Sequence, residues 1–159
     1  MTEIGFYHLQ ATPLERALPK LLERGLTAGF RIVVLAGSGE RVEHLDALLW
    51  TYDDASFLPH GSRRGGKPEL QPVWLTDSDE NPNAADMLVL TDGAVSSRLA
   101  EYRRCLDLFD GSDETALGMA RERWRLAKAA GYALTYWQQT ATGWTKKDRA
   151  AALPAMTSA

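Results

Sequence analysis

The chain has 159 residues, a formal net charge of −3, 45% apolar and 25% charged residues, and one cysteine. That size and balance describe a single soluble domain with its own core, and an acidic total excludes a protein that coats nucleic acid by bulk charge. One cysteine excludes an intramolecular disulfide or a cysteine zinc site, and with no basic-then-apolar leader and no apolar run near about 18 residues the chain is expected to be cytoplasmic, without membrane contact. Glu3-Ile4-Gly5-Phe6-Tyr7-His8-Leu9, rich in aromatic and branched residues, predicts a strand. Thr12-Pro13 then opens a helix over about residues 13–28, with leucines at helical spacing, Pro19 as a possible kink and Gly29 as its stop. Residues 31–36 are continuously apolar after Arg31, as in strands buried on both faces of a parallel sheet. A helix over about 40–50 follows, with Val42, Leu45, Leu48 and Leu49 inward.

Residues 56–60 predict a short strand, 61–68 a loop, 72–76 and 86–90 strands, 96–104 a helix and 105–109 a strand holding a buried Cys105. A helix then starts at Ser112-Asp113-Glu114 and stops before Gly131; residues 132–138 form the last strand. Strands alternating with helices imply a single-domain α/β fold, an open and mostly parallel sheet flanked by helices, Rossmann-like but without a nucleotide-binding motif. The domain is expected to span residues 1–142. The polar, alanine-rich tail 143–159 is expected to be disordered.

The most informative stretch is 121–128, which packs three arginines, a lysine and a tryptophan into eight positions. At 100° per residue, Arg121, Trp124, Arg125 and Lys128 share a face roughly 80° wide, while Met119, Leu126, Ala127 and Ala130 point toward a core. Arg123 falls near the apolar side, which implies a buried ion pair or a stem laid along the core. An indole among guanidinium groups suits an acidic, partly apolar peptide or a nucleic acid. A solvated face, with Glu122 or Asp113 pairing the arginines, is the plainer reading of the same pattern.

Catalytic motifs are sparse. Gly37-Ser38-Gly39 follows a strand and enters a helix, but the third glycine of a dinucleotide fingerprint is missing and no Gly-Lys-Ser/Thr occurs, so a tight turn with a helix cap is expected there. His8, His44 and His60 lie far apart, and no nucleophile, base and oxyanion site come together. No enzyme activity, metal or cofactor is expected. Trp50, Tyr52 and Phe57 fall within eight residues and form either a core lid or a partner anchor; the local pattern favours the core.

Five blocks follow one another in the order and spacing of a known family: Phe6-Tyr7-His8-Leu9, Leu45-Asp46-Ala47-Leu48-Leu49-Trp50, Ser56-Phe57-Leu58-Pro59-His60, Ala120-Arg121-Glu122-Arg123-Trp124-Arg125 and Ala130-Gly131-Tyr132. Over residues 3–138 the chain resembles the chi subunit of bacterial DNA polymerase III holoenzyme. The resemblance implies a non-catalytic subunit of the nucleoid-associated replisome that joins the clamp loader, through the psi subunit, to the acidic C-terminal tail of single-stranded DNA-binding protein, and meets DNA only indirectly. By position it implies that Arg121, Trp124, Arg125 and Lys128 bind that tail, that Phe109 lines the pocket for the tail's last side chain, and that Trp50, Phe57 and Pro59 face psi, in place of the core reading. Two departures stand out: Leu117 occupies a position where the family often has lysine, and Trp124 one where tyrosine is common. Two rival readings remain: a module binding single-stranded nucleic acid directly, with bases on Trp124, and a small α/β enzyme holding a phosphate at Gly37-Ser38-Gly39.

Overall fold

The computed structural model describes residues 2–53 and 58–147. The apolar runs become strands and the periodic segments helices. In chain order they are β1 (Glu3–Leu9), α1 (Leu14–Thr27), β2 (Ile32–Leu35), α2 (Gly39–Thr51), β3 (Gly61–Ser62), β4 (Val73–Thr76), β5 (Met87–Leu90), β6 (Arg104–Asp110), α3 (Glu114–Ala129), β7 (Ala133–Thr140) and β8 (Gly143–Lys147). The eight strands form one open sheet in the order β3-β4-β2-β5-β6-β1-β7-β8. Every neighbouring pair is parallel except β7 and β8, which are antiparallel. The expected open α/β sheet is therefore what the chain builds. Among the described residues no helix is long and apolar enough to cross a membrane.

Each sheet face carries its own core. On one, α1 and α2 press Leu18, Leu22, Leu45 and Leu49 onto Val34, Leu75 and Val89. On the other, α3 sets Ala120 and Ala127 against Phe6, Phe109 and Leu134. The central strands are covered twice, which is why they lack hydrophobic alternation. Cys105 is fully buried, as expected, and burial pushes its thiol up to about 12. Pro19 lies inside α1, which runs unbroken to Thr27. Both α1 and α3 close on a left-handed glycine: the Gly29 and Gly131 N–H groups donate to Leu26 and Lys128, and the next residues, Phe30 and Tyr132, donate to Gly25 and Ala127.

Four expectations are corrected. No α-helix forms over 96–104; a single 3-10 turn, Leu99–Glu101, stands there. The reason lies in Asp79, whose carboxylate accepts from Ser96 Oγ (2.6 Å), Ser97 N (2.9 Å) and Ser97 Oγ (2.8 Å), holding both serines in a turn that competes with a helix start. The strand expected at 56–60 is absent where the structure describes it, at 58–60. The pairing segment is Gly61–Ser62, inside the expected loop, docked on β4. The start of the tail is a strand: Gly143–Lys147 pairs with β7 in a hairpin, with Gly143 N donating to Thr140 Oγ1 (3.1 Å), and the rest of the tail lies outside the described residues. Finally, Met119 and Leu126 do not face the core; both are about half exposed. The stripe of α3 that packs inward is Leu117, Ala120, Trp124 and Ala127.

Candidate functional site

α3 begins where the Asp113 carboxylate accepts from Thr115 N (2.9 Å) and Ala116 N (3.2 Å), the cap its sequence announced. Its small inward residues let it lie close over β1, so its longer side chains emerge at the margin of the contact. Trp124 is one of these. Its ring meets the buried Phe6 edge-on, with centroids 5.1 Å apart and an interplanar angle of 68°, and it remains half-buried. The indole is thus anchored in the core and open on one side, instead of standing clear of the apolar stripe as the helical wheel placed it. Arg121, one helical turn earlier, is also half-buried, whereas Arg125 and Lys128 are exposed. The guanidinium of Arg125 is engaged by Glu122, with Nη2 to Oε1 at 2.5 Å and Nε to Oε2 at 3.0 Å. That exposed pair holds the Glu122 carboxyl below its ordinary value through the Arg125 hydrogen bonds.

Arg123 turns inward, as expected, and grips Asp107 with both fork nitrogens, at 2.6 and 2.9 Å. Only 3% of the Asp107 side chain is exposed. Burial pushes the Asp107 carboxyl up, and the Arg123 guanidinium works against that shift. Phe109 lies two residues beyond, about 7 Å along the strand. It is buried, with its ring 5.1 Å from that of His8. His8 Nδ1 in turn meets Tyr136 Oη at 2.6 Å.

Phe109 borders a cleft of about 570 Å³ at the C-terminal ends of the parallel strands. None of Arg121, Trp124, Arg125 and Lys128 lines it. This is the place where open α/β sheets usually hold ligands. Its charge is wrong for a phosphate. Glu15, Asp92, Asp110 and Asp113 line it, and its two arginines are paired, Arg123 with Asp107 and Arg41 with Glu15 (3.3 Å) and Asp92 (3.2 Å). The Gly37-Ser38-Gly39 turn is spent internally: Ser38 Oγ caps α2 by accepting from Arg41 N (3.2 Å), and Gly37 N donates to Asp92 (3.1 Å). A carboxylate thus occupies the place a phosphate would take. Gln139 is a residue the sequence reading missed. Its side-chain oxygen accepts from the backbone N–H groups of Gln10, Ala11 and Thr12 (2.9–3.0 Å) and fixes the loop between β1 and α1. The Gln138-Gln139 pair at the end of a strand carries no pattern that could have revealed this.

At the far side of the sheet, Trp50 ends α2 with 58% of its surface exposed, the indole 4.8 Å from the His60 ring. Pro59, next to His60 in sequence, is half-buried, and Phe57 lies outside the described residues. Exposure of that size removes Trp50 from the core, against the local pattern.

Burial holds the His8 imidazole below its ordinary value, with Asp110 pulling the other way. Below about pH 6.5 the unfolded chain takes up a proton that the folded chain refuses, so His8 lowers stability as the pH falls from there and has no effect above it. An NMR titration of the imidazole nitrogens should place the His8 midpoint below 6.5; a midpoint at or above that value would overturn the assignment.

Comparison with known proteins gives the arrangement a setting. The family model described as DNA polymerase III chi subunit, HolC, matches residues 1–135. A protein of Rickettsia prowazekii (strain Madrid E), named probable DNA polymerase III subunit chi, is 29% identical over 109 residues, 69% of this chain and 66% of that protein. The match therefore spans just under two thirds of the relative's length. With a family match running from the first strand into β7, the chain belongs to the DNA polymerase III chi subunit family.

Proposed function

We propose that this chain is a non-catalytic cytoplasmic adaptor of the replisome, linking the clamp loader, through a psi subunit, to the acidic C-terminal tail of single-stranded DNA-binding protein. The observation that carries the reading is the half-buried Trp124, flanked on one helix by Arg121, Arg125 and Lys128 in a chain that is acidic overall. The cations draw in the tail's carboxylates. An arginine then takes the terminal carboxylate through a charge-assisted fork, and the apolar last side chain packs against Trp124 toward the Phe109 end of β6. The exposed Glu122–Arg125 pair is weakly held and can exchange its partner for a peptide carboxylate. Leu117, half-buried beside Trp124 in the inward stripe, supplies apolar wall where a lysine would supply charge. For psi, the exposed Trp50 is the anchor, with Phe57 and Pro59 seven and nine residues further along the chain.

Titration of the full chain with a synthetic acidic tail peptide tests the reading. Arg121→Ala and Trp124→Ala should each weaken binding about tenfold or more, the first by the loss of a charge-assisted contact and the second by the loss of buried apolar area. The remaining affinity should fall with salt, since exposed charges are screened over about 8 Å at physiological ionic strength. Unchanged affinity in both variants removes the site.

A further inference from the structure

The opposite side of the sheet carries a second aromatic and cationic surface. β1, β7 and β8 are adjacent, and their register places Tyr7 against Trp137 and Trp137 against Lys146, all on one face. Trp144 is two residues from Lys146 and so shares that face. The rings confirm it: Tyr7 and Trp137 are parallel within 7° at 5.6 Å, and Trp144 meets Tyr7 edge-on at 5.0 Å. α1 leaves β1 toward β2, away from β7 and β8, so both indoles stay half-buried beyond its edge. A cleft of about 180 Å³ opens between them and the C-terminal end of α1, lined by Tyr7, Phe30, Trp137, Trp144, Arg24 and Arg104. Among the described residues Arg24, Lys146 and Lys147 have no ion pair, and Arg104 is held loosely, by Glu3 at 3.9 Å and by the Tyr7 side chain.

We propose that this face binds single-stranded DNA, with bases stacked on Trp144 and Trp137 and phosphates running along Arg24, Arg104, Lys146 and Lys147. Charge decides the occupant. The patch is cationic on a chain of net charge −3, and the two half-buried indoles, one parallel to Tyr7 within 7° and the other at 79° to it, each offer a separate stacking face for a splayed base. A duplex has its base faces already stacked and does not fit.

The test is anisotropy of a fluorescein-labelled oligothymidylate titrated with the full chain at several salt concentrations. Trp144→Ala should weaken binding by about 5- to 150-fold, the value of one stacked base. Arg24→Gln and Lys146→Gln should each reduce the log–log salt slope by about 0.7, one phosphate contact on a single strand. An excess of the acidic tail peptide should leave oligonucleotide binding unchanged, which separates this face from the tail site on α3. Lys146 is exposed on an edge strand, so its variant keeps the fold and the slope measurement stands alone. No saturable binding, equal affinity in the Trp144→Ala and Lys146→Gln variants, or displacement of the oligonucleotide by an acidic peptide but not by unlabelled oligothymidylate would overturn the proposal.

Discussion

Arg123→Ala is expected to lower stability by about 3–5 kcal/mol, the largest effect of any single change on α3. The substitution strands a carboxylate that is 2% exposed, lies mid-strand in β6, and has both oxygens committed to the guanidinium. An ionised carboxylate cannot stay there unpaired, so Asp107 must take up a proton or the strand must open to water. Two further variants separate a buried ion pair from mere lost packing. Arg123→Lys keeps the charge but not the fork, and should recover only part of the loss. Asp107→Leu combined with Arg123→Leu removes both charges and should lie closer to the parent than Arg123→Ala does. Urea unfolding monitored by circular dichroism reads all three. A double variant as unstable as Arg123→Ala would show that the cost is packing and not the orphaned charge.

Gly111→Ala is the second large loss. Gly111 follows β6 and its N–H donates to Leu9 O at 2.8 Å, carrying the pairing with the last residue of β1 one step past the end of β6. A methyl group there would lie 1.8 Å from His8 Nε2 and 3.0 Å from Leu9 O. The imidazole cannot simply swing aside, because it is packed against Phe109 and bonded to Tyr136. Overpacking of this kind costs about 1–3 kcal/mol, and the rigid strand backbone behind it places this site at the upper end. His8→Ala in the Gly111→Ala background should restore part of the stability, since it removes the clashing ring. Additive losses in that double variant would place the strain elsewhere.

Much of the fold was legible because its signals are local. β2 and β5 are short apolar runs that only a doubly covered parallel sheet accommodates, and α1 carries leucines at helical spacing between a proline and a glycine. The cap of α3 and the internal pairing of Arg123 were legible for the same reason: Asp113 sits at the helix start, and Arg123 projects from the apolar side. The errors arise where distant residues compete with local preference. Asp79, nearly twenty residues upstream, ties Ser96 and Ser97 into a turn in place of a helix. β8 has few apolar residues and forms because β7 offers it an unpaired edge.

What the sequence determined by itself is the set of elements, the family resemblance and the existence of a cationic, tryptophan-bearing helix late in the chain. Which side of that helix meets the sheet was left to tertiary packing. Ala120 and Ala127 are small enough to bring α3 close to β1, and that approach seats Trp124 against Phe6 while leaving the larger Met119 and Leu126 outside. A helical wheel weighs residues by hydrophobicity alone, whereas a packed interface selects the residues whose size allows contact. The second aromatic face was likewise invisible in one dimension, because Tyr7, Trp137 and Trp144 become neighbours only when β7 pairs with β1 in parallel and with β8 in an antiparallel hairpin.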